Sequence, residues 1–260
     1  MTKLINDKNK LYRHFSKAPV LFAYHIGDLD DFYFKDCIWR ADVDENDEIK
    51  DIALIYNGLM TPTVMLFSIA DDYELFIIEI IQYLPLRFYC HFLKDYTETL
   101  DRFYHREPLG THYKMKLTSL KDINNTQQNG EITRLNRNHK EKLINLFNVA
   151  YPDNYFNEKM LDTGKYLGYI INDKLVGVSG VHTCSDEYNI SVLGNITVHP
   201  SYRGRGIGTV LTSELTNELN SEGKTIALNV HSENTAAIKS YQNIGFEIIR
   251  EYEESLFIKK

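Results

Sequence analysis

One stretch of the chain dictates a strand end, a tight basic turn and a helix start in immediate succession: Val198-His-Pro-Ser-Tyr-Arg203-Gly-Arg-Gly-Ile-Gly208-Thr209. Gly204, Gly206 and Gly208 allow backbone conformations closed to other residues and let a ligand come close to the main chain. The first N–H groups of a helix have no internal partner and lie at the positive end of its dipole, so they attract anions. Arg203 and Arg205 add charge-assisted donors suited to a pyrophosphate. Two common phosphate loops are excluded. No Gly-Lys-Ser/Thr follows, as a P-loop requires, and Thr209 stands where a dinucleotide fingerprint needs its third glycine. Taken alone, the loop has a plainer alternative, the opening of a core helix flanked by two solvated arginines.

The residues around this turn have a readable order. Leu143, Ile144, Leu146, Phe147 and Ala150 recur at helical spacing, which predicts a helix over 139–150. Strands are predicted over 166–171, 175–181 and 188–198, with turns at Asn172-Asp173 and at 185–187. A helix follows to about residue 221, its apolar face formed by Ile207, Val210, Leu211, Leu215 and Leu219. Ile226, Leu228 and Val230 alternate as a buried strand. Asn234 suits the N-cap of a helix ending near Asn243, with Gly245 as its stop. Strands over 246–252 and 255–259 close the chain. This is a mixed α/β (α+β) pattern: an antiparallel meander followed by a β-α-β unit.

The first half has the same order. Strands are predicted over 36–42, 49–57 and 63–67, then a helix from Asp71 to about Tyr83. A strand over 86–91, a helix over 95–104 and a strand over 113–117 complete it. The polar, turn-rich segment 122–130 reads as a linker between a first domain, 1–121, and a second, 131–260.

Downstream of the glycine turn comes Asn234-Thr-Ala-Ala237-Ile-Lys-Ser-Tyr241-Gln-Asn-Ile-Gly245-Phe246. On periodicity alone Tyr241 is a core aromatic beside Ile238 and Ile244. The two segments together resemble the GNAT superfamily of acyl-CoA N-acyltransferases. Arg203-Gly-Arg-Gly-Ile-Gly208 fits its Q/R-x-x-G-x-G/A pattern, and the spacing from Asn234 is similar to its second signature. The resemblance covers about residues 131–260 and implies a GNAT fold.

It further implies that acetyl-CoA, or another acyl-CoA, is the co-substrate, with no metal. The backbone amides of Arg205, Gly206, Ile207, Gly208 and Thr209, with Arg203 and Gly204 beside them, would hold the pyrophosphate. Ile196 and Val198 would pair with the pantetheine amides. Asn234, with Ala237 on the same helix, would meet the pantetheine arm. Tyr241 would protonate the leaving thiolate. The first domain would be a degenerate second copy. At its cradle position, Ser68-Ile-Ala-Asp-Asp72, it has no glycine, no arginine and two acids that repel a pyrophosphate. The aromatic-rich stretch from Phe22 to Trp39 reads as core packing, with a pocket lining as the alternative.

An alkylamine with a pKa of about 10.4 is neutral only about once in a few thousand molecules at pH 7, so a base would help direct transfer. The family's usual carboxylate positions fall on Val192 and Asn229, neither of which takes a proton. His182 and His231 are near in sequence, and the base stays unassigned. The implied activity is transfer of an acetyl group to the amine of a small molecule or amino-acid-like acceptor. The alternatives are a non-catalytic acyl-CoA sensor and a protein or peptide N-acetyltransferase.

Charge narrows the partners. A net charge of -7 argues against general nucleic-acid binding. The polar first ten residues, and the lack of a long apolar run, lead to an expectation of a cytoplasmic protein without membrane contact, monomeric or homodimeric. Cys37, Cys90 and Cys184 are expected to be free thiols.

Overall fold

Short β-rich runs bounded by turn residues become strands throughout the chain. The computed structural model describes residues 2–69, 73–93, 96–123 and 130–260. Packing divides the chain into two units, one formed by Met1–Lys114 with Ile249–Lys260, the other by Met115–Ile248. This is not the division drawn from the linker, whose residues 124–129 lie outside the described residues. The end of the chain belongs to the first unit.

The first unit opens with β1 (Lys3–Leu4), α1 (Lys8–Phe15), α2 (Ala23–Gly27) and α3 (Asp31–Phe34). None of these was predicted, although Asp7 and Asp30 cap α1 and α3. Then come β2 (Cys37–Val43), β3 (Ile49–Tyr56), β4 (Thr63–Leu66), α4 (Glu74–Ile80), β5 (Arg87–Phe92), α5 (Thr97–Asp101) and β6 (Tyr104–Leu117). The predicted helix start at Asp71 and the predicted helix residue Asp95 lie outside the described residues. β2, β3 and β4 are antiparallel, and β4 runs parallel to β5 from Thr63↔Tyr89 to Leu66↔Phe92. The strand predicted over 113–117 in fact begins at Tyr104 and runs on through Pro108 and Gly110.

The aromatic stretch is core. Phe22, Tyr33 and Trp39 are buried, and Phe15 meets Phe22 at 5.1 Å and Trp39 at 5.5 Å. The same unit buries a polar cluster. Tyr252 donates its hydroxyl to Glu254 at 2.5 Å, and the Nε2 atoms of His91 and His112 lie 3.4 and 3.6 Å from the same carboxylate. Lys114 sits over the rings of Phe67 and Tyr252 at 4.4 and 4.9 Å, and burial lowers its pKa to about 7.

The second unit begins its sheet with β7 (Glu131–Arg134), followed by α6 (Lys140–Ala150), β8 (Leu167–Ile171), β9 (Lys174–Ser185) and β10 (Ile190–Val198). These four strands form an antiparallel meander. Asn172 and Asp173 both have positive φ, the geometry of a two-residue hairpin turn. After them come α7 (Ile207–Ser221), β11 (Thr225–His231), α8 (Thr235–Ile244) and β12 (Phe246–Lys259). β12 is one strand, not the predicted two, since Glu253 and Glu254 stay in register with Phe92 and His91. β10 and β11 are parallel, so the meander and β-α-β order is as expected. β12 begins in this unit and ends in the first, where Glu253 to Ile258 pair with β5. Among the described residues no helix is long and apolar enough to cross a membrane.

Two buried imidazoles set an acid limit on the first unit. His14, whose Nδ1 lies 3.0 Å from the Ile49 carbonyl oxygen, has its pKa lowered from 6.5 to about 4, first by burial and then by Lys17. His91 is lowered to about 4, again chiefly by burial. The unfolded chain takes up these protons below pH 6.5 while the folded chain does not. The stability that these two groups contribute is therefore lost as pH drops from 6.5 towards 4. Thermal melts of the unaltered chain and of His14→Gln across this window should differ in slope by up to about one proton. Parallel curves would refute the assignment to His14.

Candidate active site

The site begins where two parallel strands part. β10 pairs with β11 from Ile190↔Thr225 to Leu193↔Leu228, yet β10 runs on to Val198 and β11 to His231. On its other side β10 carries a bulge. Gly194 is opposite Gly180 and Thr197 opposite Val178, three steps against two, and Asn195 within it has φ 54°. Ile196 and Val198 thus lie beyond the last residue paired with β11. An extended backbone free on one side can take up a ligand's amides as an added strand.

The turn after β10 is built on two left-handed glycines, Gly204 with φ 74° and Gly206 with φ 78°. Gly206 is the N-cap of α7, and no side chain caps it. The first helical bond is donated by Val210 to the Gly206 carbonyl, so the N–H groups of Ile207, Gly208 and Thr209 precede the ladder. Close packing brings this helix start to the sheet. A Cβ on Gly208 would lie 3.4 Å from Val198 Cγ2, and one on Gly177 would lie 2.9 Å from Ile207 Cγ2.

The arginines do something the sequence did not reveal. Arg203 donates from Nε to the Val198 carbonyl and from Nη2 to the Ala150 carbonyl, both at 3.0 Å. It ties the turn to the end of β10 and to the last carbonyls of α6, where a cation is also favoured by the helix dipole. Arg205 donates to the Ser201 carbonyl at 3.1 Å and lies over the Tyr202 ring. Both guanidinium groups brace the loop, with their charge kept beside it.

α8 is set at both ends. Asn234 Oδ1 accepts from the Ala237 N–H at 3.2 Å, as its N-cap position predicts, leaving the side-chain amide nitrogen for other partners. Gly245, φ 116°, ends the helix and donates to the Tyr241 carbonyl at 3.1 Å. Thr209 Oγ1 and Ser240 Oγ, 2.7 Å apart, join α7 to α8. Asn234, Ala237 and Tyr241 follow a three-then-four spacing and therefore share a helix face. Tyr241 is 8% exposed. Burial, then the neighbouring Tyr151, pushes its pKa up, so at neutral pH it is a phenol able to donate a proton.

Neither family carboxylate position can act as a base, since Val192 is a buried hydrocarbon side chain and Asn229 is an amide whose Nδ2 is buried without a partner. His231 Nδ1 accepts from the Glu233 N–H at 3.2 Å, within the turn that leads into α8. His182 lies against Gly194. A separate cavity of about 550 Å³, lined by Ile144, Phe147, Asn154 and Phe156 among others, falls inside the 139–163 segment and shares no residue with the strand cleft.

Residues 132–246 match the acetyltransferase (GNAT) family. The chain is similar to the N-alpha-acetyltransferase RimI of Mycobacterium tuberculosis, 32% identical over 37% of this chain and 61% of that protein. The matched segments span 23% to 61% of the length of such curated relatives. Among solved structures, a GCN5-related N-acetyltransferase from Sphaerobacter thermophilus superposes with a TM-score of 0.66 at 13% identity, over 100% of this chain and 96% of that one. A tandem GNAT protein from the clavulanic acid biosynthesis pathway superposes with a TM-score of 0.57 at 10% identity, over 98% of each. At these identities the structural likeness concerns the fold.

The two glycine positions separate strain from collision. A Cβ on Gly245 would fall 1.8 Å from the Ser119 carbonyl oxygen, whereas one on Gly204 meets nothing within 4 Å. Gly204→Ala should cost about 1 kcal/mol from its positive φ alone, and Gly245→Ala more than about 2 kcal/mol. Denaturant unfolding would measure both, and equal losses would contradict the packing.

Proposed function

Because residues 132–246 form a GNAT acetyltransferase domain, we propose that the chain moves an acetyl group from acetyl-CoA to the amine of a small-molecule or amino-acid-like acceptor by direct transfer. The observation that carries this reading is the parting of β10 from β11, ending on the uncapped start of α7. The amides of residues 205–209 hold the pyrophosphate, with the helix dipole behind them. Ile196 and Val198 present strand backbone to the pantetheine arm. Val198 does so with one carbonyl lone pair already given to Arg203. Asn234 offers its remaining amide nitrogen. Tyr241 protonates the thiolate as it leaves.

A second reading has support in one observation. The matched relatives include an Escherichia coli enzyme named for acetylating an alanine of ribosomal protein bS18, 32% identical over 36% of this chain. By that likeness the acceptor is a protein α-amine. The loss of a carboxylate at Val192 and Asn229 motivates a third, a non-catalytic acyl-CoA sensor. Release of free thiol from acetyl-CoA, measured against a panel of small amines and an alanine-terminated peptide, separates the three. Tyr241→Phe should lower kcat by about 10²-fold while the Kd for coenzyme A stays within about twofold. Tight donor binding with no turnover on any acceptor would favour the sensor.

The first unit takes no coenzyme A on this reading. β4 ends at Leu66, still paired with Phe92, so no length of it stands free as β10 does. Of its cradle position, residues 70–72 lie outside the described residues. Since Ile249–Lys260 belongs to that unit, a truncated first half lacks a strand, and the fair test is stoichiometry on the full chain. Calorimetry should give one coenzyme A per chain, with binding abolished by Gly206→Glu. Binding that survives this change would overturn the assignment of the cradle.

A further inference from the structure

We propose that His182 is the general base that takes the acceptor's proton, an inference that rests on the acetyltransferase reading above. The register between β9 and β10 shifts here. Val192 faces Thr183 and Leu193 faces Val181, so His182 is the extra residue of a bulge on β9. Its imidazole lies directly over Gly194. A Cβ on Gly194 would fall 1.9, 2.1 and 2.5 Å from His182 Cδ2, Nε2 and Cγ. The ring occupies space that only glycine leaves open.

Gly194 is also the first residue of β10 past Leu193, the last one paired with β11. The imidazole therefore stands at the inner end of the strand cleft. Along β10 the order from there outward is Gly194, Ile196, Val198 and then the amide cradle, roughly 3.3 Å per residue of extended chain. A pyrophosphate at the cradle and a pantetheine arm along Ile196 and Val198 would bring the thioester towards Gly194.

The face is the right one as well. Gly194 pairs with Gly180, and a Cβ there would fall 2.3 Å from the Tyr166 ring, so both glycines open the same side of the sheet. The opposite side is covered by α7, which packs Ile207 and Leu211 against Gly177. His182 is half-buried on the side away from α7. Tyr166 and Cys184, the titratable neighbours on these strands, have pKa values raised chiefly by burial and stay protonated at neutral pH. Tyr166 already donates to the Val181 carbonyl at 2.9 Å. An imidazole is suited to exchanging protons near neutral pH.

In the step, the imidazole removes a proton from the acceptor nitrogen, directly or through one water. The nitrogen lone pair forms a bond to the thioester carbonyl carbon. The carbon–sulfur bond then breaks, its electron pair leaves with sulfur, and the thiolate takes the Tyr241 proton. The second proton that the ammonium nitrogen sheds passes through water to the Tyr241 phenolate, so ammonium and thioester become amide and thiol with one proton left on the imidazole.

His182→Gln, which keeps polarity but cannot accept a proton near neutral pH, should lower kcat/KM by about 10²-fold at pH 7. The Kd for coenzyme A and the thermal midpoint should stay close to those of the unaltered chain. The imidazole's own inflection should disappear from its pH–rate profile, leaving a rate that climbs with the neutral fraction of the amine, so that the deficit shrinks at high pH. Gly194→Ala, which must displace the ring, should lower kcat while leaving coenzyme A binding intact. A His182→Gln enzyme with an unchanged rate, or with the same inflection, would overturn this inference and leave the acetyltransferase reading standing. An unaltered chain that binds coenzyme A but acetylates no acceptor would sink both.

Discussion

Backbone hydrogen bonding governs the second unit. Every strand residue carries a donor and an acceptor that must find partners, and β10 has them on the β11 side only as far as Leu193. Beyond that point the strand is held from its other edge by β9 and at its end by Arg203, which accounts for one carbonyl of Val198. The remaining groups face a cleft. On the proposed reading, what enters the cleft is long, thin and amide-bearing, with an anion at its outer end. The strand, the turn and the helix start are therefore one device, and the chemistry at its inner end is a consequence of where the pairing stops.

The first unit shows how little separates such a device from an ordinary sheet. Its order is the same: antiparallel strands, then a strand, a helix and a parallel strand. The parallel contact has the same length as well, four residue pairs in each unit. What differs is the overrun. β10 has nine residues and β4 has four, so one strand outlasts its contact and the other does not. In the first unit ring packing and the Glu254 cluster, whose polar groups partner one another, fill the interior instead.

Much of this was legible in the sequence because local rules and global fold agree there. Asn234 caps and Gly245 stops α8 by the same physics that makes those residues recognisable. The glycine turn shows its left-handed positions at Gly204 and Gly206. Other features had no local signal. Pairing of β12 with β5, residues far apart in the chain, leaves no trace in either segment's periodicity. Arg203 reads as an anion ligand from its motif, while its hydrogen bonds to Val198 and Ala150 depend on α6 arriving beside it. The one missed clue was Gly194 followed by Asn195. A glycine inside a strand often marks a bulge or a close approach, and here it marks both.

The bracing role of Arg203 changes how charge at the cradle should be understood. A guanidinium that met the pyrophosphate directly would be a flexible, salt-screened contact. One that bonds two backbone carbonyls instead fixes the turn in the shape that aims its amides outward, before any ligand arrives. Binding then costs less ordering of the protein. The same bond fastens the C-terminus of α6, next to Tyr151, whose proximity helps keep Tyr241 protonated. The turn that would hold the far end of the donor thus also helps position the groups around its thioester, and this coupling follows from a single side chain.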